Sequence, residues 1–280
     1  MKRRVEGSHI AAPRWLVQPI AKCYAAWVRT LFIALGFFAL SGTSRTSASA
    51  QPPDTSPPSP IPDNCRQLLL VRTPSWSAVS GTLERYERGE SLRWNLVGPP
   101  TPLNVGRSGM AWGRGLASQT KPGPIKREGD GRSPAGVFTL GRAFGSAEGL
   151  PAGARDFPYL QTLPSTYCVE DTRSKFYNQI VDVPGVTPGS RPGWSEMQRA
   201  DGLFRWGVIV RQNDEEQVGA GSCVFLHIWR GAGRGTAGCT AMASDQIETT
   251  LRWLDAKASP LLVELPEPAY QDVRDAWGLP

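Results

Sequence analysis

Short apolar runs separated by clusters of Gly, Pro, Asn and Asp recur along the chain from residue 65 onward. Runs of this kind, bounded by turn-forming residues, are typical of β-strands, and a continuous apolar run indicates a strand buried on both faces. Strands are predicted at 67–71, 81–86, 92–97, 137–140, 206–210, 224–226 and 261–265. The pattern therefore predicts a mainly β domain of about 216 residues, which is long enough to enclose one sizeable core.

Two stretches near the C-terminus show helical rather than strand periodicity. The first begins near Ser244 and places Ile247, Leu251 and Leu254 on one face, the spacing of an amphipathic helix. A second, shorter helix is predicted at 269–277. We expect a few helices packed on the β domain. The first of them should support the segment that directly precedes Ser244.

The first 50 residues have the features of a targeting segment. They combine basic residues with an apolar run at 31–40 and a small-x-small triplet at 48–50, the pattern of a signal peptide. An uncleaved membrane anchor is the alternative, because the basic region is long. Residues 51–64 are rich in Pro and Ser and predict an extended linker, which leaves 65–280 as the functional domain. We expect an exported protein, in the periplasm or cell envelope, that associates with a membrane only through this segment.

The positive net charge belongs to the same N-terminal segment. The chain has 31 basic and 25 acidic residues; seven of the basic and one of the acidic residues lie in the first 50, leaving 24 of each. A formally neutral domain lacks the electrostatic footprint of a nucleic-acid-binding protein. We therefore expect no nucleic-acid partner.

One histidine and one cysteine stand close together in the predicted domain. His227 ends the predicted strand 224–226, and Cys239 follows twelve residues later, directly after Gly238. The chain has only two histidines, and the other, His9, lies in the leader. The spacing predicts that a thiol and an imidazole lie on either side of one glycine-rich loop.

A thiol and an imidazole in this arrangement suit nucleophilic catalysis. The reactive species is the thiolate, and a neighbouring imidazole must remove the thiol proton near neutral pH. The glycine permits a tight turn before the nucleophile. The backbone amides of Gly238 and Cys239 are then candidates for an oxyanion hole, which stabilises the negative oxygen of a tetrahedral intermediate.

An apolar strand ending in His227, a glycine-rich loop and then Thr236-Ala237-Gly238-Cys239 resembles the catalytic signature of the L,D-transpeptidases with a YkuD-type domain. The Gly-rich segment 129–138 is similar to one that recurs in the same family, and the resemblance extends over roughly residues 66–265. Three features depart from the family pattern. Ala237 replaces a polar residue, Thr240-Ala241-Met242 contains neither the Arg nor the Asn that is common after the cysteine, and the interval from His to Cys is short.

The resemblance implies a sandwich-like YkuD-type catalytic domain that acts on peptidoglycan stem peptides. It implies that Cys239 is the nucleophile, that His227 is its base and that the reaction proceeds through an acyl-enzyme. Thr236 matches the Ser/Thr of the family motif and is a candidate substrate-binding residue. Arg230 and Arg234, in the loop between His and Cys, are candidates to clamp the carboxylate of a stem peptide, with solvated loop charges as the alternative interpretation.

No cofactor or metal is expected. One histidine and scattered cysteines do not form a spaced set of zinc ligands. The GxGxxG match at 233–238 is not followed directly by a helix, so we do not interpret it as a dinucleotide site. Two functional alternatives remain open: an L,D-carboxypeptidase or peptidase with the same Cys-His site, and a non-catalytic wall-binding module. The sequence leaves the oligomeric state open.

Four cysteines remain after the leader, and an exported chain meets oxidising conditions. We predict a disulfide between Cys65 and Cys168, with Cys223 a buried thiol and Cys239 free. A bridge between Cys223 and Cys239 is the competing interpretation, and it would remove the nucleophile.

Overall fold

The structure is a computed structural model that describes residues 59–117, 122–187 and 189–280. The predicted leader, 1–50, and the first part of the linker, 51–58, lie outside the described residues. Among the described helices, none has the length and apolar character needed to cross a membrane.

Strands dominate the described chain, which confirms the prediction of a mainly β fold. The strands are β1 (Gln67–Thr73), β2 (Ser80–Arg88), β3 (Trp94–Leu96), β4 (Thr101–Asn104), β5 (Met110–Trp112), β6 (Ser133–Gly145), β7 (Tyr159–Gln161), β8 (Thr166–Val169), β9 (Ile180–Asp182), β10 (Trp194–Glu196), β11 (Gly207–Val210), β12 (Phe225–Ile228), β13 (Thr240–Met242) and β14 (Leu261–Pro266).

The strand pairings of the large sheet close into a circuit. The order is β1-β14-β6-β11-β12-β13-β4-β2, and β2 pairs with β1 again. Most neighbours are antiparallel, but β1 runs parallel to β14 and β12 runs parallel to β13. Because β12 and β13 each have a partner on their other side, the segments that carry the candidate chemistry lie within the sheet and not at an edge.

The two strands with the longest apolar runs, β1 and β14, lie in the core. All six residues of β14 are buried, as are six of the seven residues of β1. Their neighbours Leu70 and Val263 are paired in register and almost fully buried. Consecutive apolar residues suit a strand that is buried on both faces, and β1 and β14 are in that environment.

Two α-helices pack on this sheet near its C-terminal strand. Helix α1 (Ser244–Trp253) contacts β12, and helix α2 (Glu267–Trp277) contacts β14 and β1. Both predicted helices are confirmed, the second beginning two residues earlier than predicted. Helix α2 ends at Gly278, whose φ of 63° is the left-handed conformation that glycine adopts without strain.

The remaining sequence predictions differ from the structure mainly in extent. A strand was predicted at 137–140, but β6 already begins at Ser133, within the Gly-rich segment 129–138, and includes Pro134, which pairs with β5. The predicted strand 92–97 contributes only Trp94–Leu96. Strands of three or four residues have too few positions to show an alternating pattern, so β4, β5, β7, β8, β9, β10 and β13 were not predicted.

A second, three-stranded sheet of order β10-β8-β9 is attached to the large sheet by a disulfide. The bridge joins Cys168 in β8 to Cys223, which lies just before β12. The predicted pairing of Cys65 with Cys168 is therefore wrong, as is the prediction that Cys223 is a free thiol. Cys65 is a buried free thiol that donates a hydrogen bond to the Gln67 carbonyl. Cys239 is free, as predicted.

A buried carboxyl group supports the start of β13. Glu264 in β14 is fully buried, and its Oε1 accepts a hydrogen bond from the Thr240 hydroxyl. Its Oε2 makes no hydrogen bond to any described residue. Burial raises the pKa of Glu264 to about 8, although the Thr240 hydroxyl opposes this shift, so the carboxyl group is neutral at neutral pH and below.

We expect Glu264→Gln to remove an alkaline destabilisation of the wild-type protein. A carboxyl group whose pKa rises from 4.5 to about 8 on folding loses its stabilising contribution as the pH increases through this range. The wild type minus variant difference in unfolding free energy should fall by on the order of 2–4 kcal/mol between pH 4 and pH 9. Urea denaturation at the two pH values measures it, and Glu148→Gln, at an exposed position, is the control. An unchanged difference for Glu264→Gln would contradict a buried neutral acid.

Candidate active site

The parallel pair β12 and β13 brings His227 and Cys239 to one wall. His227 pairs in register with Ala241, and Leu226 with Thr240, so Cys239 is adjacent to the strand position of Phe225. Side chains alternate between the faces of a strand, which puts Phe225 and His227 on the same side as Cys239 and Ala241. All four line one cavity of about 250 Å³.

His227 is held in a defined orientation and tautomer. Its side chain is 8 % exposed, and its ring packs edge-on against Phe204 at 5.1 Å between centroids. The Nδ1 atom lies 2.7 Å from the Ile228 carbonyl oxygen. A carbonyl only accepts, so Nδ1 carries the proton and Nε2 of the neutral ring is left as the base. The backbone carbonyl thus provides the orienting group that the sequence did not reveal.

The thiol of Cys239 lies in largely apolar surroundings. It packs against a cluster that includes Phe225 and the disulfide between Cys168 and Cys223. The Sγ atom donates a weak hydrogen bond of 3.6 Å to the Cys223 carbonyl. Burial raises the pKa of Cys239 to about 12, and the Phe225 backbone amide opposes this shift.

Burial has the opposite effect on the imidazole. It lowers the pKa of His227 to about 4, while the bond to the Ile228 carbonyl opposes the shift. With the pKa of the thiol near 12, the resting pair consists of a neutral thiol and a neutral imidazole. A nucleophilic attack by this thiol would therefore need a base to take its proton in the same step.

The loop before Cys239 is fixed by backbone and hydroxyl hydrogen bonds. The Thr236 amide donates to the Val105 carbonyl, and the Arg107 amide donates to the Thr236 carbonyl. Gly235 passes so close to this segment that a Cβ there would lie 2.5 Å from the Arg107 Cα. Since no side chain fits at that distance, the glycine is required for the close approach of the two segments.

The Thr236 hydroxyl binds the backbone around the nucleophile. It accepts a hydrogen bond from the Gly238 amide at 3.0 Å and donates one to the Cys239 carbonyl at 2.5 Å. The Ser133 hydroxyl donates a second bond to that carbonyl. Thr236 also lines the cavity, and its hydroxyl both donates to and accepts from the loop backbone. These bonds give Thr236 a positioning role, and its substrate contact stays a prediction.

The same hydrogen bond engages one of the two predicted oxyanion-hole donors, the Gly238 amide. The Cys239 amide, by contrast, makes no backbone hydrogen bond within residues 59–117, 122–187 and 189–280. Of the two amides, that of Cys239 is the one left without a protein acceptor in the described part of the chain. Gly238 itself is buried, and a Cβ on it would make a tight contact of 3.2 Å with the Arg132 carbonyl oxygen.

We expect Thr236→Val to lower the turnover number and leave donor binding intact. The isosteric change removes both loop hydrogen bonds, which costs about 1–3 kcal/mol, and turnover should fall by roughly tenfold as Cys239 loses its fixed position. Thr236→Ser keeps the hydroxyl and should retain most of the activity. Steady-state kinetics decide the role: a rise in KM for the donor at constant kcat would instead support the predicted substrate contact.

Four charged side chains also line the cavity: Arg199, Arg230, Arg234 and Glu170. Asp201 binds Arg199 through both carboxylate oxygens and also pairs with Arg230 at 3.3 Å. The two predicted carboxylate-binding residues, Arg230 and Arg234, are therefore at the cavity, and only Arg234 has no ion-pair partner among the described residues.

Several cavity residues had no signal in the sequence. Glu170, Ser195 and Arg199 belong to segments far from the His-Cys motif, and they reach the cavity because the three-stranded sheet packs beside it. Arg132, in the Gly-rich segment 129–138, has its guanidinium bound to the carbonyls of Trp76 and Met110, to which it donates. In the described part of the chain, no group of three His, Cys, Asp or Glu side chains could hold a metal ion.

Comparisons with protein-family models, with curated proteins and with solved structures find no match to this chain.

Proposed function

We propose that the protein is a cysteine acyltransferase of the L,D-transpeptidase type that acts on peptidoglycan stem peptides. One observation carries the proposal: Cys239 and a His227 whose Nδ1 is held by the Ile228 carbonyl line a single cavity, where the parallel strands β12 and β13 lie side by side. The sequence resemblance supplies the substrate class. The finer fold assignment, a sandwich-like YkuD-type domain, belongs to the same proposal and is supported by the mainly β architecture with packed helices.

The first half-reaction forms an acyl-enzyme. Cys239 Sγ attacks the carbonyl carbon of the peptide bond between an L-centre and a terminal D-residue, while its proton passes to His227 Nε2. The Cys239 amide donates to the oxygen that becomes negative. The carbon–nitrogen bond then breaks, His227 returns the proton to the leaving amine, and the D-amino acid departs. A thioester remains on Cys239.

The second half-reaction transfers the acyl group to an amine. The acceptor nitrogen attacks the thioester carbonyl and gives a proton to His227, the carbon–sulfur bond breaks, and the proton returns to Cys239 Sγ. With water as the acceptor, the same site is an L,D-carboxypeptidase. An amine acceptor is supported by Glu170, a carboxylate that lines the same cavity as Cys239.

Export to the periplasm or cell envelope is part of the proposal, since the substrate is found there. It is supported by the leader pattern of residues 1–50 in the sequence and by the disulfide between Cys168 and Cys223, because disulfides persist in oxidising compartments. A substrate-binding role for Arg230 and Arg234 also remains proposed: their guanidinium groups suit a stem-peptide carboxylate, and both line the cavity.

The test is product analysis with a stem tetrapeptide that ends in a D-residue. Mass spectrometry should show release of the D-amino acid and a product equal in mass to donor plus acceptor minus that amino acid. Cys239→Ala should give neither. Release of the D-amino acid with only a hydrolysed peptide, even at high amine concentration, would favour the carboxypeptidase. Binding to isolated cell walls with no reaction at Cys239 would favour the non-catalytic module.

A further inference from the structure

The cavity beside Cys239 holds one carboxylate without a counter-ion. Glu170 lines the cavity, and no basic nitrogen of the described residues lies within salt-bridge distance of it. It is close enough to Cys239 for its charge to raise the pKa of that thiol. A carboxylate that is partly buried and not ion-paired is costly, and such a group in a reactive cavity is a candidate for binding a cation.

The fold holds this carboxylate in place. Glu170 directly follows β8, and its amide donates to the Gly193 carbonyl just before β10 at 2.6 Å. The disulfide from Cys168, two residues earlier, ends at Cys223, which also lines the cavity. The covalent link therefore fixes Glu170 relative to the wall that carries the nucleophile. Burial raises the pKa of Glu170, and a hydrogen bond with Ser195 opposes this shift.

The same cavity also carries positive charge. Arg199 and Arg230 are paired with Asp201, whereas Arg234 lines the cavity with no ion-pair partner among the described residues. A substrate carboxylate suits the arginines, and an ammonium group suits Glu170. The two substrates of a transfer reaction thus have separate electrostatic anchors in the cavity that contains Cys239.

We propose that Glu170 is the acceptor-binding residue: its carboxylate receives the ammonium group of an amine acceptor and takes one proton from it. This inference rests on the proposed acyltransferase function. The neutral amine then attacks the thioester on Cys239, the new carbon–nitrogen bond forms as the carbon–sulfur bond breaks, and the second nitrogen proton passes through His227 to Cys239 Sγ. Glu170 afterwards releases its proton to solvent. Water lacks the charge for this anchor, so Glu170 selects aminolysis over hydrolysis.

The test compares a charged and a neutral acceptor with Glu170→Gln. Glycinamide is largely an ammonium ion at pH 7, and hydroxylamine is largely neutral. After acylation by the stem tetrapeptide, the variant should use glycinamide about 10- to 100-fold less efficiently, as expected for loss of a charge-assisted hydrogen bond. Its use of hydroxylamine and its rate of acylation should change by less than about threefold. Glu196→Gln, which alters another carboxylate of the same sheet, should resemble the wild type in all three measurements.

Each outcome decides the role. Equal losses with both acceptors, or a loss of acylation alone, would overturn acceptor binding by Glu170. If Glu170→Gln does not fold, Glu170→Asp keeps the charge on a shorter side chain. A loss of activity limited to glycinamide supports the role of Glu170, and the absence of any loss contradicts it. If the folded wild type with reduced Cys239 is not acylated at all, the proposed function fails, and this inference fails with it. Normal acylation without the selective loss refutes only the role of Glu170.

Discussion

Replacing His227 by alanine should lower the rate of Cys239 acylation by about 10³- to 10⁴-fold, near the upper range for loss of a general base. The loss is large because the thiol pKa is about 12, so almost no thiolate is present at pH 7 without proton transfer. Single-turnover acylation followed by intact mass spectrometry measures the rate, and circular dichroism checks the fold.

Imidazole in solution provides the control for this variant. The substitution leaves space beside Phe204, where the ring was packed, and a free imidazole that occupies it should restore part of the rate. Recovery of the rate would show that the variant lost its base and that the rest of the site is intact. A folded variant that is acylated as fast as the wild type would show that His227 is not the base.

Replacing both Cys168 and Cys223 by alanine should lower the free energy of unfolding by roughly 4 kcal/mol on the chain-entropy model, for a bridge between residues 55 apart in sequence. The three-stranded sheet that carries Glu170 should also lose its fixed position beside the cavity. We therefore expect a larger loss of amine transfer than of acylation. Urea denaturation and the two partial reactions measure these effects.

Cys65→Ala is the matched control, because it alters a buried cysteine that forms no bridge. It should cost only about 1 kcal/mol, the typical effect of a small change in a core. Peptide mapping of the unreduced wild type should recover the Cys168 and Cys223 peptides linked to each other. A linked pair of Cys65 and Cys168 peptides, or a double variant as stable as the wild type, would contradict the assigned bridge.

The sequence allowed prediction of those parts of the fold that are governed by local pattern. The apolar runs of β1 and β14 and the periodicity of α1 specify their conformation within a few residues, because each has enough positions to show a repeat. The three residues of β13 do not, and the structure identifies them as a strand only through pairing with β12 and β4. Pairing over long sequence separations is not encoded in a local pattern.

The candidate site divides in the same way. His227 and Cys239 were predicted to meet because twelve residues and a glycine-rich loop connect them. Glu170 was not predicted and the partner of Cys168 was predicted wrongly, because both depend on how a second sheet packs beside the first. The motif identified Thr236 as a candidate substrate-binding residue, but a motif does not show the hydrogen bonds of its hydroxyl to the loop backbone.

The most direct test of the central claim, an acylable Cys239 served by His227, is the intact mass of the protein after incubation with a carbapenem, a class of compound that acylates the L,D-transpeptidases. We predict a single covalent adduct on the wild type and on Cys65→Ala, none on Cys239→Ala, and very slow formation on His227→Ala. A folded wild type with reduced Cys239 that remains unmodified, or an adduct that persists in Cys239→Ala, would contradict the account.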